Sequence, residues 1–291
     1  MRYSTPLRYP GGKSRLANFM RLVFEENNLI NGHYIEPYAG GAGIALHLLF
    51  SGHASHIHIN DLSKSIYAFW QVVLEDTDNI CRLINETPVD MDTWFRQKEV
   101  QAHPERHSTL ELGFSTFFLN RTNRSGIISG GVIGGQNQDG PWKLDARYNK
   151  TNLISRIERI SRVSDHITLY NQDAAEFISQ VIPTLPLQSL VYLDPPYYAK
   201  GHDLYENHYV SDDHLTISNL VGDINQRWIV SYDDTPEIRE MYQWCRNLPY
   251  QFGYSAADHY KGAEIMFFSD NLLIPTVDNP AQLQKAPAFY R

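Results

Sequence analysis

The sequence has little cysteine and no long apolar run. Its 291 residues include two cysteines, Cys81 and Cys245, too few for a disulfide framework or a four-ligand zinc site. No apolar segment approaches the roughly 18 residues that a membrane-spanning helix needs. The first residues, Met-Arg-Tyr-Ser-Thr-Pro-Leu-Arg, lack the apolar centre of a secretion signal. These absences predict a protein of the reducing cytoplasm that neither spans a membrane nor is secreted.

The chain also lacks an overall excess of basic charge. Its net charge is −8, which argues against a protein that coats nucleic acid without sequence preference. Basic residues are nevertheless concentrated in two places. Residues 1–21 hold five basic and no acidic residues, and residues 121–162 hold eight basic and three acidic residues. This asymmetry indicates either a basic groove on an acidic body, which would attract a polyanion, or a solvated surface with uneven patches.

Both ends of the chain show strand and helix patterns in alternation. Helical spacing of apolar residues covers 13–26 and 44–50, with a glycine turn before the second helix. This order predicts an α/β fold with a doubly wound sheet. The last two predicted strands would form a hairpin around residues 269–271. The predicted strands are 33–37, 56–60, 189–193, 227–232, 264–268 and 272–274.

The middle of the chain has a different pattern. Residues 65–120 read as mostly helical, and residues 126–140 contain six glycines. A glycine-rich loop of this length is either functional or disordered. A further helical pattern covers residues 150–164. We therefore predict a discontinuous α/β domain, a helical insert and a tail, with the boundaries 1–68 plus 164–279, 69–163 and 280–291, respectively.

Two glycine-containing segments precede helices. Gly12-Lys13-Ser14 ends like a phosphate-binding P-loop, but Leu7 occupies the position of its first glycine, so we exclude a P-loop. The segment remains a turn, or a hairpin on a ligand with Lys13 reaching a carboxylate. Residues 36–43 (Glu-Pro-Tyr-Ala-Gly-Gly-Ala-Gly) join a strand to a helix, whose N-terminus could hold an anionic group. A tight turn without a ligand is the alternative.

Acidic residues follow two of the predicted strands. Asp61 lies 18 residues after Gly43, a spacing that suits either the hydroxyls of a ribose or a helix cap. Leu193-Asp194-Pro195-Pro196-Tyr197 follows an apolar strand, and the two prolines predict a stiff extended turn. Such a turn would present the Asp194 carboxylate and the Pro195 carbonyl beside an aromatic ring. Two acceptors beside a ring suit a planar amino-substituted base.

Together these segments resemble those of the Dam-type, alpha-group, S-adenosylmethionine-dependent DNA adenine-N6 methyltransferases. Tyr-Pro-Gly-Gly-Lys at 9–13 is similar to the family's N-terminal cofactor motif, which often has Trp in place of Tyr9. Residues 36–43 resemble its glycine-rich motif, Asn60-Asp61 its ribose-binding acid and Asp-Pro-Pro-Tyr at 194–197 its catalytic motif. The motifs occur in the family's order. The resemblance implies a Rossmann-like class I methyltransferase sheet with an inserted, mostly helical target-recognition domain.

The resemblance also implies roles for individual residues. S-adenosyl-L-methionine would be the cofactor and S-adenosylhomocysteine the product, with duplex DNA as the substrate. The cofactor would be bound by Tyr9, Lys13, Tyr38, Gly40, Gly41, Gly43, Asp61 and Asp194. The target adenine would be held by Asp194, Pro195 and Tyr197.

The basic middle segment would contact DNA. Residues 120–126 (Asn-Arg-Thr-Asn-Arg-Ser-Gly) look like the start of the family's DNA-contacting hairpin region, and we expect 121–150 to set the choice of sequence. The alternative is a solvated or salt-bridged set of side chains. The candidate DNA-binding residues are Arg121, Asn123, Arg124, Lys143 and Arg147.

No metal is expected. His53, His56 and His58 crowd one segment, but no third ligand type accompanies them at a recognisable spacing. The reaction implied by the resemblance needs no metal, because the methyl group already sits on a sulfonium. The target base would have to flip out of the duplex to reach it.

Three other functions remain open at this point. A cytosine-N4 methyltransferase uses the same two acceptors but more often has Ser where this chain has Asp194. An RNA or protein-amide methyltransferase usually has Asn there. A catalytically silent DNA-binding module of the same fold is the third alternative. A monomer is the default, and a restriction endonuclease could be a functional partner.

Overall fold

The structure is a computed structural model, and it describes residues 5–8, 13–199, 209–253 and 261–283. These residues form two compact units. The first holds residues 5–8 and 61–171, and the second holds 13–60 with the described residues from 172 onward. None of the helices in the described ranges is long and apolar enough to cross a membrane.

The elements alternate in the order that an α/β fold requires. The strands are β1 Gly32–Glu36, β2 Ala54–Asn60, β3 Ile167–Tyr170, β4 Ser189–Leu193, β5 Arg227–Asp233, β6 Arg246–Gly253 and β7 Lys261–Phe268. The helices are α1 Ala17–Glu26, α2 Gly43–Phe50, α3 Lys64–Glu75, α4 Thr77–Glu86, α5 Met91–Ala102, α6 Thr109–Thr122, α7 Lys150–Ser161, α8 Ala174–Glu176, α9 Ser211–Gly222 and α10 Pro236–Met241. A 3₁₀ turn, Lys13–Leu16, leads into α1.

The second unit is built on a mostly parallel sheet. Its strands are ordered β2-β1-β4-β5-β7-β6. The pairs β1–β2, β1–β4 and β4–β5 are parallel, whereas β7 runs antiparallel to both β5 and β6. All five residues of β4 are buried, as expected for a strand that is covered on both faces. This arrangement confirms the Rossmann-like α/β fold.

The parallel strands end at one edge of the sheet. Ile35 on β1 pairs with Val191 on β4, and Leu193 on β4 pairs with Val230 on β5. Segments that follow these three strands therefore start close to one another. In open α/β sheets, ligands bind at this edge.

The predicted hairpin around residues 269–271 is wrong, because β7 pairs with β5 and β6 and not with residues 272–274. Residues 272–274 form no strand, since side chains satisfy their backbone groups. The amide of Asn27 donates to the Leu273 carbonyl and accepts from the Leu273 N–H, and the Arg246 guanidinium donates to the Leu272 carbonyl. Pro249 lies within β6, opposite Ile265.

The first unit is helical around α6. Helices α3 and α5 pack against α6, and α4 packs against α7. A capping box between Ser108 and Glu111 begins α6. At Gly113 a β-carbon would lie 2.8 Å from the carbonyl oxygen of Ala68, so glycine permits the close approach of α3 and α6.

The boundaries of the units differ from those expected of the domains. The breaks fall at 60/61 and 171/172, whereas the sequence suggested 68/69 and 163/164. Helix α3 starts at Lys64 and packs on α6, so the segment after β2 belongs to the helical unit. Residues 5–8 also belong there, because the Asn120 amide bonds both the N–H and the carbonyl of Arg8. Target recognition by this unit remains a prediction.

Candidate active site

Asp194 lies at the ligand-binding edge of the sheet, directly after β4. Its Oδ1 accepts a hydrogen bond from Ser231 Oγ of β5 at 2.8 Å. The Ser231 hydroxyl is itself 2.7 Å from the hydroxyl of Tyr192. The turn that follows is anchored to β5, because the Asp233 carboxylate accepts from the N–H groups of Tyr198 and Ala199, each at 2.9 Å. The Asp-Pro-Pro-Tyr segment is thus fixed at its first residue by Ser231 and just after its last residue by Asp233.

Lys13 lies in a buried cluster with the same turn. Its Nζ is 2.9 Å from both carboxylate oxygens of Glu264 and 2.9 Å from the Tyr197 hydroxyl. Asp194 Oδ1 is farther from it, at 3.4 Å. An ammonium group has three N–H donors, and these contacts occupy all of them. Lys13 does reach a carboxylate, but the carboxylates it meets belong to the protein itself.

Sequence reasoning missed Glu264, which is the centre of this cluster. Glu264 lies on β7 and is fully buried. Besides Lys13, the hydroxyls of Tyr197 and Tyr250 donate to its carboxylate. The available signal was an acidic residue within the apolar run 263–268, since a carboxylate is seldom buried unless it is paired.

Burial and the neighbouring charges set the ionisation of the site. Burial raises the pKa of Asp194 to about 6, and the charge of Glu264 adds to this, against the opposing effects of Lys13 and Ser231. The side chain of Asp194 is 24% exposed, so a ligand can reach it. Burial alone would lower the pKa of Lys13, but Asp194, Tyr250 and Glu264 hold that pKa well above its usual value.

The raised pKa of Asp194 predicts an acidic limb in the pH profile of any reaction that uses its carboxylate. A neutral carboxyl is a poorer acceptor than a carboxylate, so such a reaction would need the form that has lost the proton. We expect kcat/KM to be level above about pH 7 and to fall about tenfold per pH unit below pH 6. Initial rates between pH 5 and 8 check this, and a profile that stays level down to pH 5 contradicts it.

The glycine turn lies at the same edge of the sheet, after β1. Gly40 and Ala42 both adopt left-handed backbone conformations, with φ of 46°. The Asn60 amide donates to the Pro37 carbonyl, and the Ala39 N–H donates to the Asn60 carbonyl. Asn60, which ends β2, therefore fixes the shape of the turn.

The turn leads into α2, whose N-terminus has no side-chain cap. A β-carbon at Gly43 would lie 2.1 Å from Ser14 Oγ, so a residue of the Lys13–Leu16 turn packs against the start of α2. Tyr38 is half-buried in the same turn, and its hydroxyl is 3.0 Å from that of Tyr209. The structure thus brings together Lys13, Tyr38, Gly40, Gly41, Gly43, Asp194, Pro195 and Tyr197 in the second unit.

Two further residues were predicted to bind the cofactor. Tyr9 lies outside the described residues. Asp61 belongs to the first unit, where its Oδ1 accepts from the Ser63 N–H at 2.9 Å. Ser63 is the N-cap of α3, so Asp61 shapes the turn before that helix. Its predicted contact with a ribose stays a prediction.

The candidate DNA-binding residues fall into two groups. Asn123 is fully buried, and its amide bonds the Trp94 indole N–H and the carbonyls of Ile127 and Ile128. Arg121 is half-buried and donates to the Arg147 carbonyl at 2.8 Å. Both side chains are engaged within the first unit. By contrast, the exposed side chains of this set are Arg124, Lys143 and Arg147.

Side-chain hydrogen bonds hold the glycine-rich segment, residues 126–140. The Gln138 amide donates to the carbonyls of Ile133 and Gly135, and it accepts from the Leu144 N–H. Lys143 Nζ donates to the Gln138 carbonyl. These bonds define the shape of the segment, and a function for its glycines stays a prediction.

Gly126 should tolerate no side chain. Its φ is +84°, and a β-carbon there would lie 2.5 Å from the carbonyl oxygen of Arg8. We expect Gly126→Ala to lower the free energy of unfolding by about 2–4 kcal/mol, through left-handed strain and overpacking together. Gly131→Ala is the matched control, because a β-carbon there meets nothing within 4 Å. Equal melting temperatures for the two variants, measured by circular dichroism, would contradict the expectation.

Histidines cluster away from the Asp194 site, on one face of β1 and β2. His33 Nδ1 lies 3.0 Å from His58 Nε2. The ring of His33 stacks on those of His56 and His58, which are tilted relative to each other. Burial lowers the pKa of His58 to about 3, and its two neighbours add to this. Within the described ranges, no group of three or more histidine, cysteine or acidic side chains is placed to hold a metal ion.

Comparison with known proteins shows the family to which the chain belongs. The sequence profile of the D12 class N6 adenine-specific DNA methyltransferases matches residues 9–251. A curated relative, the type II methyltransferase M.MjaIII of Methanocaldococcus jannaschii, is 24% identical over 212 residues, which cover 66% of this chain and 68% of the relative. The profile spans the glycine turn, the helical unit and the Asp-Pro-Pro-Tyr turn in one continuous match. The chain therefore belongs to the D12 class N6 adenine-specific DNA methyltransferases.

Proposed function

We propose that the enzyme transfers a methyl group from S-adenosylmethionine to the N6 amine of an adenine that has flipped out of duplex DNA. The observation that carries this proposal is the pattern of contacts at the two carboxylate oxygens of Asp194. Among the described residues, both partners of its carboxylate contact Oδ1, which leaves Oδ2 for a ligand. An anchored carboxylate with one unengaged oxygen, beside the Pro195 carbonyl, suits an amino group with two hydrogens.

The residues around Asp194 would act on the amine by position and charge. The lone pair of the adenine amine is delocalised into the ring, so the amine is a poor nucleophile. Asp194 and the Pro195 carbonyl would accept its two hydrogens and favour a more tetrahedral nitrogen. Ser231 fixes the carboxylate in place, so the acceptors need little rearrangement as charge develops. Proton release to solvent completes the transfer.

S-adenosylmethionine fits the features at this edge of the sheet. When bound, it supplies a methyl group on a positively charged sulfur. The N-terminus of α2 lacks a side-chain cap, so its N–H groups suit the carboxylate of the methionine part. Tyr38, Gly40, Gly41 and Gly43 would surround that part. Glu264 and Tyr197 occupy the donors of Lys13, so we propose no direct contact between Lys13 and the cofactor.

Duplex DNA is the form of substrate that we propose. N6 of a stacked and paired adenine cannot reach a cofactor bound at the sheet, so the base has to leave the helix. The exposed Arg124, Lys143 and Arg147 would bind phosphates, while Arg121 and Asn123 would support the loop. A restriction endonuclease as functional partner and a location in the cytoplasm, where DNA and the cofactor meet, complete the proposal.

Calorimetric titration tests the cofactor part of the proposal independently of turnover. We expect S-adenosylmethionine and S-adenosylhomocysteine to bind one to one and to compete with each other. Adenosine alone should bind more weakly, because it lacks the methionine carboxylate. Absence of binding by either compound would overturn the assignment of the donor.

A further inference from the structure

We propose that Glu264 is a positioning residue of the methyl-transfer site: it holds the Lys13 ammonium off Asp194, so that the Asp194 carboxylate stays available to the target amine. This inference rests on the proposed role of Asp194 as an acceptor. It assigns to Glu264, and through it to Lys13, a task that the sequence motifs do not indicate.

The contacts of Lys13 show which carboxylate holds it. Both oxygens of Glu264 lie 2.9 Å from its Nζ, whereas the nearer oxygen of Asp194 lies at 3.4 Å. Charge-assisted hydrogen bonds between nitrogen and oxygen measure about 2.7–2.9 Å. The two bonds to Glu264 are therefore fully formed, and the approach to Asp194 is a looser electrostatic contact.

Glu264 is itself held firmly. Strand β7 is paired on both sides, with Glu264 opposite Asp233 of β5 and Tyr250 of β6. The hydroxyl of Tyr197 donates to one oxygen of its carboxylate and that of Tyr250 to the other, so each oxygen has two donors once Lys13 is counted. A buried carboxylate that accepts four hydrogen bonds from three side chains has a fixed position, and it fixes the position of the Lys13 ammonium in turn.

The balance of charge explains why Glu264 matters to Asp194. The cluster contains one ammonium, Lys13, and two carboxylates, Glu264 and Asp194. Without the charge of Glu264, Asp194 would be the one anion left beside the buried ammonium among the residues that the structure describes. A buried cation without a partner is strongly unfavourable, so Lys13 would move onto Asp194 and occupy lone pairs that the amine needs.

The position of the Tyr197 ring also depends on Glu264. Its hydroxyl accepts from Lys13 and donates to Glu264, and the ammonium also lies 4.8 Å from the centre of its ring. Two directional bonds at the hydroxyl fix the plane of the ring. Glu264 thus positions both the acceptor and the aromatic ring that the proposed function assigns to the target base.

Glu264→Gln is the first test, because it removes the charge and keeps the shape. We expect kcat to fall about 10- to 100-fold, with the affinities for S-adenosylmethionine and DNA within about threefold of the wild type. The acidic limb of kcat/KM should move to lower pH by about one unit, since Asp194 loses a like charge and gains a closer cation. A merely structural role would lower the active fraction without moving the limb.

Two further variants keep the test decisive. Glu264→Asp retains the charge, so it should restore part of kcat and return the limb to its wild-type position. The double variant Lys13→Gln/Glu264→Gln removes both members of the ion pair and, among the described residues, leaves no buried lysine or arginine to bind Asp194. We expect the double variant to be more active than Glu264→Gln alone, even if the single variant folds poorly.

The contrary results are equally definite. An acidic limb that stays in place in folded Glu264→Gln, or a double variant less active than the single one, would overturn the positioning role. The wild-type enzyme is assayed beside them on the same unmethylated duplex. If the wild-type enzyme transfers no methyl group, the proposed function is wrong. If the wild-type enzyme is active and the effects of the two substitutions are additive, only the proposed role of Glu264 is wrong.

Discussion

Asp194→Ala should lower the rate of methyl transfer by about 10²- to 10³-fold or more, while DNA binding stays close to that of the wild type. The substitution removes the oxygen that would accept from the adenine amine, and interactions made at the reacting group carry costs of this size. Asp194 belongs to the second unit, whereas the exposed arginines that we expect to bind phosphates belong to the first, so affinity for DNA should not depend on Asp194. Single-turnover rates and a DNA-binding titration measure the two effects separately.

Asp194→Asn serves as the matched control for this prediction. It keeps the shape and one acceptor oxygen but removes the charge that faces Lys13 at 3.4 Å. We expect a residual rate between those of the wild type and Asp194→Ala. Wild-type turnover in folded Asp194→Ala would show that the carboxylate is not part of the catalytic site.

The double variant Arg124→Ala/Arg147→Ala should weaken DNA binding by about 10- to 100-fold at low salt and leave kcat unchanged. Both side chains are exposed, and neither has an ion-pair partner within the described ranges. Each phosphate contact that is lost should reduce the slope of log affinity against log salt concentration by about 0.9. Titrations at three salt concentrations give the affinity and this slope together.

The control for this prediction removes the same amount of charge elsewhere on the helical unit. Arg82 and Arg106 are exposed by 56% and 68% of their side chains, and both pair with neighbouring acidic residues. Arg82→Ala/Arg106→Ala should therefore change DNA affinity by less than about threefold. Equal losses of DNA affinity in the two double variants would indicate a general effect of net charge. Arg124 and Arg147 would then have no specific part in DNA binding.

The edge of the sheet could be predicted from the sequence because its signals are local. The run Ser-Leu-Val-Tyr-Leu before Asp194 gives β4 with its observed bounds, Ser189–Leu193. The glycine turn before α2 follows from the same kind of pattern. Strand β6 was missed because Pro249 interrupts its pattern, and the false strand at 272–274 has its hydrogen bonds taken by Asn27 and Arg246.

The partners of the site residues could not be read from local patterns. Lys13 meets Glu264 across 251 residues of sequence, and no spacing rule connects the two. Asn123 lies in a basic segment that suggested DNA contact, yet Trp94 of α5 takes up its side-chain oxygen. In both cases the polar side chain forms a hydrogen bond with a partner that is distant in sequence and close only in the tertiary structure.

Methyl transfer from labelled S-adenosylmethionine to unmethylated duplex DNA, followed by nucleoside analysis of the product, tests the central claim most directly. N6-methyladenine as the labelled nucleoside, with Asp194→Ala giving little or none, is the predicted result. N4-methylcytosine would keep the acceptor chemistry but contradict the choice of base. A folded enzyme that binds the cofactor and labels no nucleoside would contradict the proposed reaction itself.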